Sequence, residues 1–446
     1  MKLQGLKMKM TNTRLIAVSF VVVILIGTVL LCTPFASATG EWTSLVDALF
    51  TATTSTCVTG LVVVDTATHW SFFGQIVLLV LIQIGGIGFM SLITLFSFFV
   101  RHQVSLHERR LLLQSTGALH MSGVMASFRH LLLGTLFIEG LGALALSYRF
   151  CPIYGEKGIW YAIFHSVSAF CNAGIDLIGT SEMPSLMAYA NDPLVTGVVM
   201  LLVVMGGLGF LVWHDLLKSR FCFRKMELHT KLVLTFTGVL ILGGTVLLYF
   251  TERNASMADM SEGQKLWNAL FQSVTTRTAG FITFDQSRLS DSGALVSMFL
   301  MFIGGSPGST AGGVKTTTLL VFLLCSWNLA HNKQSVTVFK RRIDNRIVRQ
   351  AGAVVCFYML MILTATVLIC ALEPFGIREV AYEVTSAMAT VGLSMGMTAS
   401  LGAISKLILI VLMYAGRLGG LSLFLALAES DAQVPIERPV EKILIG

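Results

Sequence analysis

DALFTATTSTCVTGL, residues 47–61, is the stretch that decides how this chain reads. It begins as a short amphipathic helix and ends in a small, polar turn closed by Gly60. Three further stretches share the design: YAIFHSVSAFCNAGI (161–175), NALFQSVTTRTAGF (268–281) and YEVTSAMATVGL (382–393). Their glycines, Gly174, Gly280 and Gly392, follow Gly60 at intervals of roughly 110 residues, a long-period internal repeat. Four copies of one turn in an apolar chain predict a ring around an axis. Backbone carbonyls on such an axis can replace the hydration shell of a cation.

The chain of 446 residues is 54 % hydrophobic and 12 % charged, where soluble domains carry about 25 % charged residues. That deficit places it in the membrane class. Eight apolar stretches have spanning length, near 15–35, 71–100, 131–150, 194–217, 231–250, 292–327, 351–372 and 403–428; one crossing takes about 20 residues. The repeated stretches lie between them and are shorter and more polar, which suits re-entrant pieces enclosed by protein. The expected fold is an all-α integral membrane protein of four linked helix–pore helix–helix units with pseudo-fourfold symmetry. It has eight spanning helices plus four re-entrant pore helices. The units divide as 1–105, 106–225, 226–335 (with a broken second helix) and 336–446, the last with the C-terminal segment.

Basic residues cluster in alternate loops: Lys2, Lys7, Lys9 and Arg14; Arg101, Arg109 and Arg110; Lys218, Arg220, Arg224, Lys225 and Lys231; and Lys333, Lys340, Arg341, Arg342, Arg346 and Arg349. The positive-inside rule makes that side, with the N-terminus, cytoplasmic. The net charge of +7 thus reflects cytoplasmic loops and not a nucleic-acid partner. The repeated turns enter from outside, flanked by Glu41, Asp65, Asp176, Glu182, Asp192, Asp285, Asp291, Glu373 and Glu379. An acidic mouth raises the local cation concentration. The N-terminal basic residues, apolar run and Ala36-Ser37-Ala38 imitate a signal peptide, but the run is long for one. The eight cysteines form no CxxC pair and no metal spacing; Cys57 and Cys171, inside the repeats, read as small packing residues.

The turns themselves are VTG (Val58, Thr59, Gly60), NAG (Asn172, Ala173, Gly174), TAG (Thr278, Ala279, Gly280) and TVG (Thr390, Val391, Gly392). Glycine permits the left-handed angles that a carbonyl-inward turn requires. No acid or hydroxyl is seen to recur at one register, so backbone carbonyls are the expected ligands, suited to a large monovalent ion. Arg277, one residue before TAG, has the wrong sign for coordination and is expected to brace the turn from behind, paired with an acid or carbonyls.

The second helices carry a signature too: GGIGF (85–89), GGLGF (206–210), GGSPG (304–308) and AGRLGG (415–420). For the first two, close helix packing by small residues explains it. The seventh span, MFIGGSPGSTAGGVKTTT (301–318), cannot stay helical with Gly304, Gly305, Ser306, Pro307, Gly308, Ser309, Thr310, Gly312 and Gly313 in mid-membrane. It is expected to project below the turns as a movable constriction. Lys315 follows it and Arg417 lies at matching depth in the last span; either could bond loop carbonyls and hold the constriction shut. Gly308 to Thr316 imitates a P-loop with one residue too many and no preceding strand, so nucleotide binding is not expected there. Glu139, in the third span, is a further intramembrane charge without an obvious partner.

TSTCVTGLVVVDT (54–66), HSVSAFCNAG (165–174), TTRTAGF (275–281) and ATVGLSMGMT (389–398), together with GGSPGSTAGGVKTTT and GRLGGLS (416–422), resemble the superfamily of K⁺ transporters built from four linked M1–P–M2 units. With no extra leading helices, the chain is most similar to the Ktr-type bacterial membrane subunit. The resemblance implies potassium uptake, often Na⁺-dependent, by a homodimer in the bacterial plasma membrane, with K⁺ as cargo and no bound cofactor. It also implies a cytoplasmic ring of separate nucleotide-binding regulatory subunits. The filter glycines, the broken seventh span and Arg417 match the family position by position. The terminal ILIG (443–446) resembles its dimer-interface segment, while Cys171 and Pro307 depart from its pattern. Two rivals stand beside this reading. A tightly coupled cation symporter more often shows inverted repeats and midplane acids. A polytopic membrane enzyme needs paired acids or a metal pair, and His107-Glu108 fails as HExxH because Leu111 stands where the second histidine should be.

Overall fold

A computed structural model describes residues 12–88, 124–179, 183–332 and 336–419. Four helical groups follow one another. The first is α1 (Asn12–Cys32), α2 (Leu45–Thr56), α3 (Thr66–His69) and α4 (Phe72–Ile87). The second is α5 (Val124–Tyr154), α6 (Lys157–Phe170), α7 (Pro193–Leu208) and α8 (Phe210–Lys218). The third is α9 (Leu228–Glu252), α10 (Glu262–Thr275), α11 (Asp291–Phe302) and α12 (Thr316–Ala330). A two-residue antiparallel pair, β1 (Thr337–Val338) and β2 (Arg341–Arg342), leads into α13 (Asn345–Leu372), α14 (Ile377–Ala389) and α15 (Ala403–Leu418). This small hairpin is the single two-stranded sheet among the described residues; isolated bridges join Ser37 to Trp70 and Ile303 to Val314.

The long helices α1, α5, α9 and α13 contain stretches apolar and long enough to cross a membrane. They turn bulky aliphatic residues outward: Val29 is 67 % exposed and Leu144 69 %. Water would not tolerate such a surface; lipid does. The short helices α2, α6, α10 and α14 are the reverse. Thr51 through Thr56 of α2 are all buried, although a Thr-rich helix this short is marginal alone. Small side chains allow protein to enclose the helix on every face. Caps supply the rest: Ser44 accepts from the Asp47 amide at 3.3 Å on α2, and Ser261 with Gln264 forms a capping box on α10. At one shared register each short helix buries an aromatic ring completely, Phe50, Phe164, Phe271 and Tyr382, and α6 buries Phe170 besides.

Of the eight stretches expected to span, four are single helices of sufficient length among the described residues, and a fifth is α7 with α8 if that pair is one crossing. That pair bends by 90° at Gly209. Gly88 caps α4 and Gly419 caps α15; Gly209, Gly88 and Gly419 have φ of 91°, 89° and 81°. The expectation of plain helix packing at GGIGF and GGLGF was half of the matter. Gly85, Gly206 and Gly416 do pack closely: an added Cβ would overlap the carbonyl oxygens of Thr56, Phe170 and Met388. Gly88, Gly209 and Gly419 then cap their helices. Only glycine holds such angles without strain.

Candidate functional site: a ring of four glycine turns

The C-terminal ends of α2, α6, α10 and α14 converge, so the negative poles of four helix dipoles face one region. The glycines that follow close a ring in the order Gly60, Gly174, Gly280, Gly392. A Cβ placed on Gly60 would lie 3.3 Å from the Cα atoms of both Gly174 and Gly392. The cyclic order shows in the carbonyls too. The same test on Gly60, Gly174, Gly280 and Gly392 meets the carbonyl oxygens of Ala173, Ala279, Val391 and Thr59 in turn. All twelve sequence-predicted turn residues thus come together in one buried place.

Their backbone has a feature the sequence did not announce. Val58, Asn172, Thr278 and Thr390 hold φ of 56°, 60°, 69° and 53°, left-handed although none is glycine. Three are β-branched, for which that conformation is a genuine outlier costing roughly 1–3 kcal/mol. Together with the glycines (φ 98°, 65°, 81° and 91°), the sign of φ alternates along each turn. Alternation turns successive peptide planes the same way and sets their carbonyls on one side.

A recurrent hydroxyl pins these strained turns. Thr54, Ser168, Thr275 and Ser386 each stand four residues beyond the buried aromatic ring. Thr54 Oγ1 accepts from the Gly60 amide and Ser386 Oγ from the Gly392 amide, both at 3.0 Å. Ser168 Oγ donates to the Ile175 carbonyl at 2.7 Å and Thr275 Oγ1 to the Phe281 carbonyl at 2.6 Å. The expectation that no hydroxyl recurs was therefore mistaken. The third turn is one residue shorter than the others: the Ala279 amide reaches back four residues to Thr275, while those of Thr59, Ala173 and Val391 reach back five. Alignment on the glycines alone hides the match. Asn172 links two turns through Thr278 Oγ1 at 3.3 Å. Arg277 is a correction of another kind. It is buried, forms no ion pair among the described residues, and its Nε has no hydrogen-bond partner.

Beneath the ring, residues 303–315 form an irregular loop between α11 and α12. It docks where α7 breaks. Carbonyls freed at the end of that helix accept from the loop: Gly207 from the Ser306 amide at 3.0 Å and Gly206 from the Thr310 amide at 3.3 Å. The Phe210 amide returns a bond to the Gly308 carbonyl at 2.9 Å. Thr310 Oγ1 donates to the Phe170 carbonyl at 3.1 Å. At the far side, a Cβ on Gly312 would press on Thr390, and one on Gly313 would lie 3.2 Å from the Ala389 carbonyl. The loop therefore spans from the second turn to the fourth. Gly304 pairs with Val314 at its neck, and the Thr316 amide donates to the Gly305 carbonyl.

Both cations singled out in the sequence bond carbonyls here. Lys315 Nζ donates to the Ala311 carbonyl at 2.6 Å. Arg417 donates to the carbonyls of Thr310 and Gly85, and to that of Gly86 at 3.3 Å. Its fork thus ties the loop to the C-terminal end of α4. Glu139 receives the partner that the sequence did not reveal: Gln83 Nε2 reaches both carboxylate oxygens at 3.1 Å. The flanking acids have local work to do. Asp192 caps α7 and pairs with Arg149 at 2.7 Å, Asp291 pairs with Arg378 at 2.8 Å, and Glu373 accepts from Gly402 and Ser405 at 2.8 and 2.6 Å. Asp65, Asp176 and Asp285 bond amides in their own turns. The terminal ILIG, Glu182, Lys2, Lys7, Lys9, the 101–110 basic cluster and Lys333 lie outside the described residues.

Known proteins resemble this chain over nearly its whole length. The potassium/sodium uptake protein NtpJ of Enterococcus hirae is 40 % identical, over 98 % of both chains. The Ktr system potassium uptake protein B of Vibrio alginolyticus is 37 % identical over 99 % of this chain and 96 % of its own. That of Bacillus subtilis is 36 % identical over 98 % and 97 %. The crystal structure of the potassium transporter TrkH from Vibrio parahaemolyticus shares the fold at a TM-score of 0.69 and 19 % identity, covering 92 % of this chain and 85 % of that one. The family model described as TrkH, cation transport protein, matches residues 4–436. This chain is a member of that family, membrane cation transporters and not enzymes.

Proposed function

We propose that the chain carries potassium across the plasma membrane through a filter of backbone carbonyls, and that the loop at 303–315 gates the path below it. One observation carries the reading: four turns meet in cyclic order around one axis, each with alternating φ and each at the C-terminal end of a short buried helix. Twelve residues from Val58–Gly60, Asn172–Gly174, Thr278–Gly280 and Thr390–Gly392 supply the carbonyls. Peptide oxygens carry partial charge only, which suits a large, weakly hydrated monovalent ion better than a divalent one. The four groups of helices act as four M1–P–M2 units, bounded as the sequence divides them.

Gating follows from where the loop lies. It passes from Asn172 to Thr390 under the ring, held by Arg417 and Lys315. Release of those bonds opens the path. The curated relatives are named as potassium or potassium/sodium uptake proteins, two of them of a Ktr system. On that likeness, we take the chain to work as a homodimer in a bacterial membrane with its N-terminus inside. Na⁺ activates it, and a cytoplasmic ring of nucleotide-binding subunits governs the loop.

The decisive experiment is flux through the purified protein in liposomes, paired with an anomalous-scattering map of bound Rb⁺ or Tl⁺. Passive Rb⁺ entry down its gradient, with heavy-ion density on the glycine ring, is expected. Density elsewhere, or transport only in strict stoichiometry with a second ion, would replace the filter by a coupled symport mechanism.

A further inference from the structure

A cleft of about 510 Å³ opens between α9, α12 and α13. Arg342 and Asp344 line it from the segment that enters α13, and His229 from the first turn of α9. Ile347 and Val354 lie on one face of α13, and Thr317 and Val321 on one face of α12. The volume is that of a ligand site, about 300–1,000 Å³. Its wall holds one buried polar atom without a partner and one exposed cation. His229 Nε2 is buried without a hydrogen-bond partner. Arg342 enters no ion pair among the described residues, whereas Asp344 is engaged by the Arg346 amide at 3.0 Å.

The surroundings define the ligand's character. Lys340, Arg341, Arg346 and Arg349 stand within a few residues along the chain, so this end of the bundle is positive. The neighbouring outer surface is aliphatic and aromatic: Ile347 is 51 % exposed and Trp327 64 %. A pocket that is cationic at one part, apolar along its walls, and set between membrane-crossing helices at their basic end has the chemistry to hold an anionic lipid. We propose that the cleft seats an anionic phospholipid from the adjoining leaflet, with its phosphate on Arg342 and an acyl chain along Val321, Ile347 and Val354. A nucleotide fits less well, since the walls offer aliphatic side chains and no glycine-rich run of amides.

The position gives such a lipid leverage. Thr317 lies two residues beyond Lys315, on the helix that leads straight out of the loop. A lipid wedged between α12 and the first turns of α9 and α13 fixes where α12 can stand. This consequence rests on the gating reading above; occupancy of the cleft does not.

The test uses the full chain purified in detergent, titrated with phosphatidylglycerol and with phosphatidylcholine by native mass spectrometry. Wild type should retain phosphatidylglycerol in preference. Arg342→Gln, a change at the exposed hairpin, should weaken that binding roughly fivefold, the worth of one basic residue at an anionic membrane, and leave phosphatidylcholine unaffected. Ala351→Phe, which fills the cleft, should weaken both lipids; thermal unfolding in detergent checks that it folds. Equal phosphatidylglycerol affinity in wild type and Arg342→Gln overturns the proposal, as does displacement of the lipid by ATP or inorganic phosphate. In liposomes, adding phosphatidylglycerol to phosphatidylcholine should change the Rb⁺ flux of wild type and not of Arg342→Gln. Flux that is absent from all proteins in all lipids would count against the transport reading, while the binding result would stand alone.

Discussion

Arg417 donates to the carbonyl of Thr310, which lies 107 positions earlier in the chain and on the loop that interrupts the third group of helices. The other arm of the guanidinium holds the carbonyls of Gly85 and Gly86, where α4 ends. One planar fork thus satisfies acceptors from two elements that share no other cation among the described residues. A lysine would span them poorly, since its three donors share one nitrogen, whereas Arg417 uses two separate nitrogens.

Loss of that fork should free the loop. Hydrogen bonds to a charged group contribute about 1.5–3 kcal/mol each, so Arg417→Gln is expected to raise basal Rb⁺ flux in liposomes roughly tenfold or more. Arg417→Lys should fall between the two. Deletion of 305–312 should raise the leak further and blunt control by regulatory subunits. Unchanged basal flux in both Arg417→Gln and the deletion would remove the gate.

Gly60→Ala sets a Cβ against the Ala173 carbonyl at a φ of 98°. Gly392→Ala does the same to Thr59. The strain, roughly 1–3 kcal/mol, cannot relax without moving the next turn of the ring. Each change should lower the apparent K⁺ affinity roughly tenfold and reduce discrimination against Na⁺. Competition between K⁺ and Na⁺ for Rb⁺ uptake measures both. Full retention of selectivity after Gly→Ser or Gly→Ala at all four glycines would dismiss the filter.

Ser386→Ala removes the acceptor of the Gly392 amide, and Thr54→Val that of Gly60. A neutral hydrogen bond contributes about 1 kcal/mol. The expected result is a fold left intact and a K⁺ affinity several-fold weaker, with Ser386→Thr close to wild type. Loss of expression without any change in affinity among the surviving protein would make the hydroxyl a folding device alone.

Lys406 and Asp47 pair at 2.8 Å with side chains 13 % and 24 % exposed, joining α15 to the first turn of α2. A largely enclosed pair of this kind costs more to break than a surface one. Lys406→Gln should lower stability by about 1–3 kcal/mol, between the cost of a surface pair and that of a fully buried one, seen as a reduced unfolding temperature in detergent. The exchange Asp47→Lys with Lys406→Asp should recover part of it. Equal stability in all three proteins would mean that the pair adds nothing.

Much of the site could be read from the chain because repetition and glycine content survive in one dimension. The four stretches, their final glycines and the impossibility of a continuous helix through GGSPGSTAGGVK are properties of local sequence. So are the two cations later found on loop carbonyls. Residues whose roles depend on register were hidden. The hydroxyls of Thr54, Ser168, Thr275 and Ser386 recur only when counted from the buried aromatic rings, because the third turn is one residue short. The left-handed angles of Val58, Thr278 and Thr390 run against β-branched preference, so propensity argued the wrong way.

Tertiary structure alone decided the rest. It set the cyclic order of the turns, the seat of the loop on the broken end of α7, and the pairing of Glu139 with Gln83 across 56 positions. It left Arg277 without the brace expected of it. The division has a physical cause. Glycine, proline and helical periodicity act on the backbone within a few residues, whereas carbonyls freed at a helix break take whatever donor the packing of distant helices brings to them.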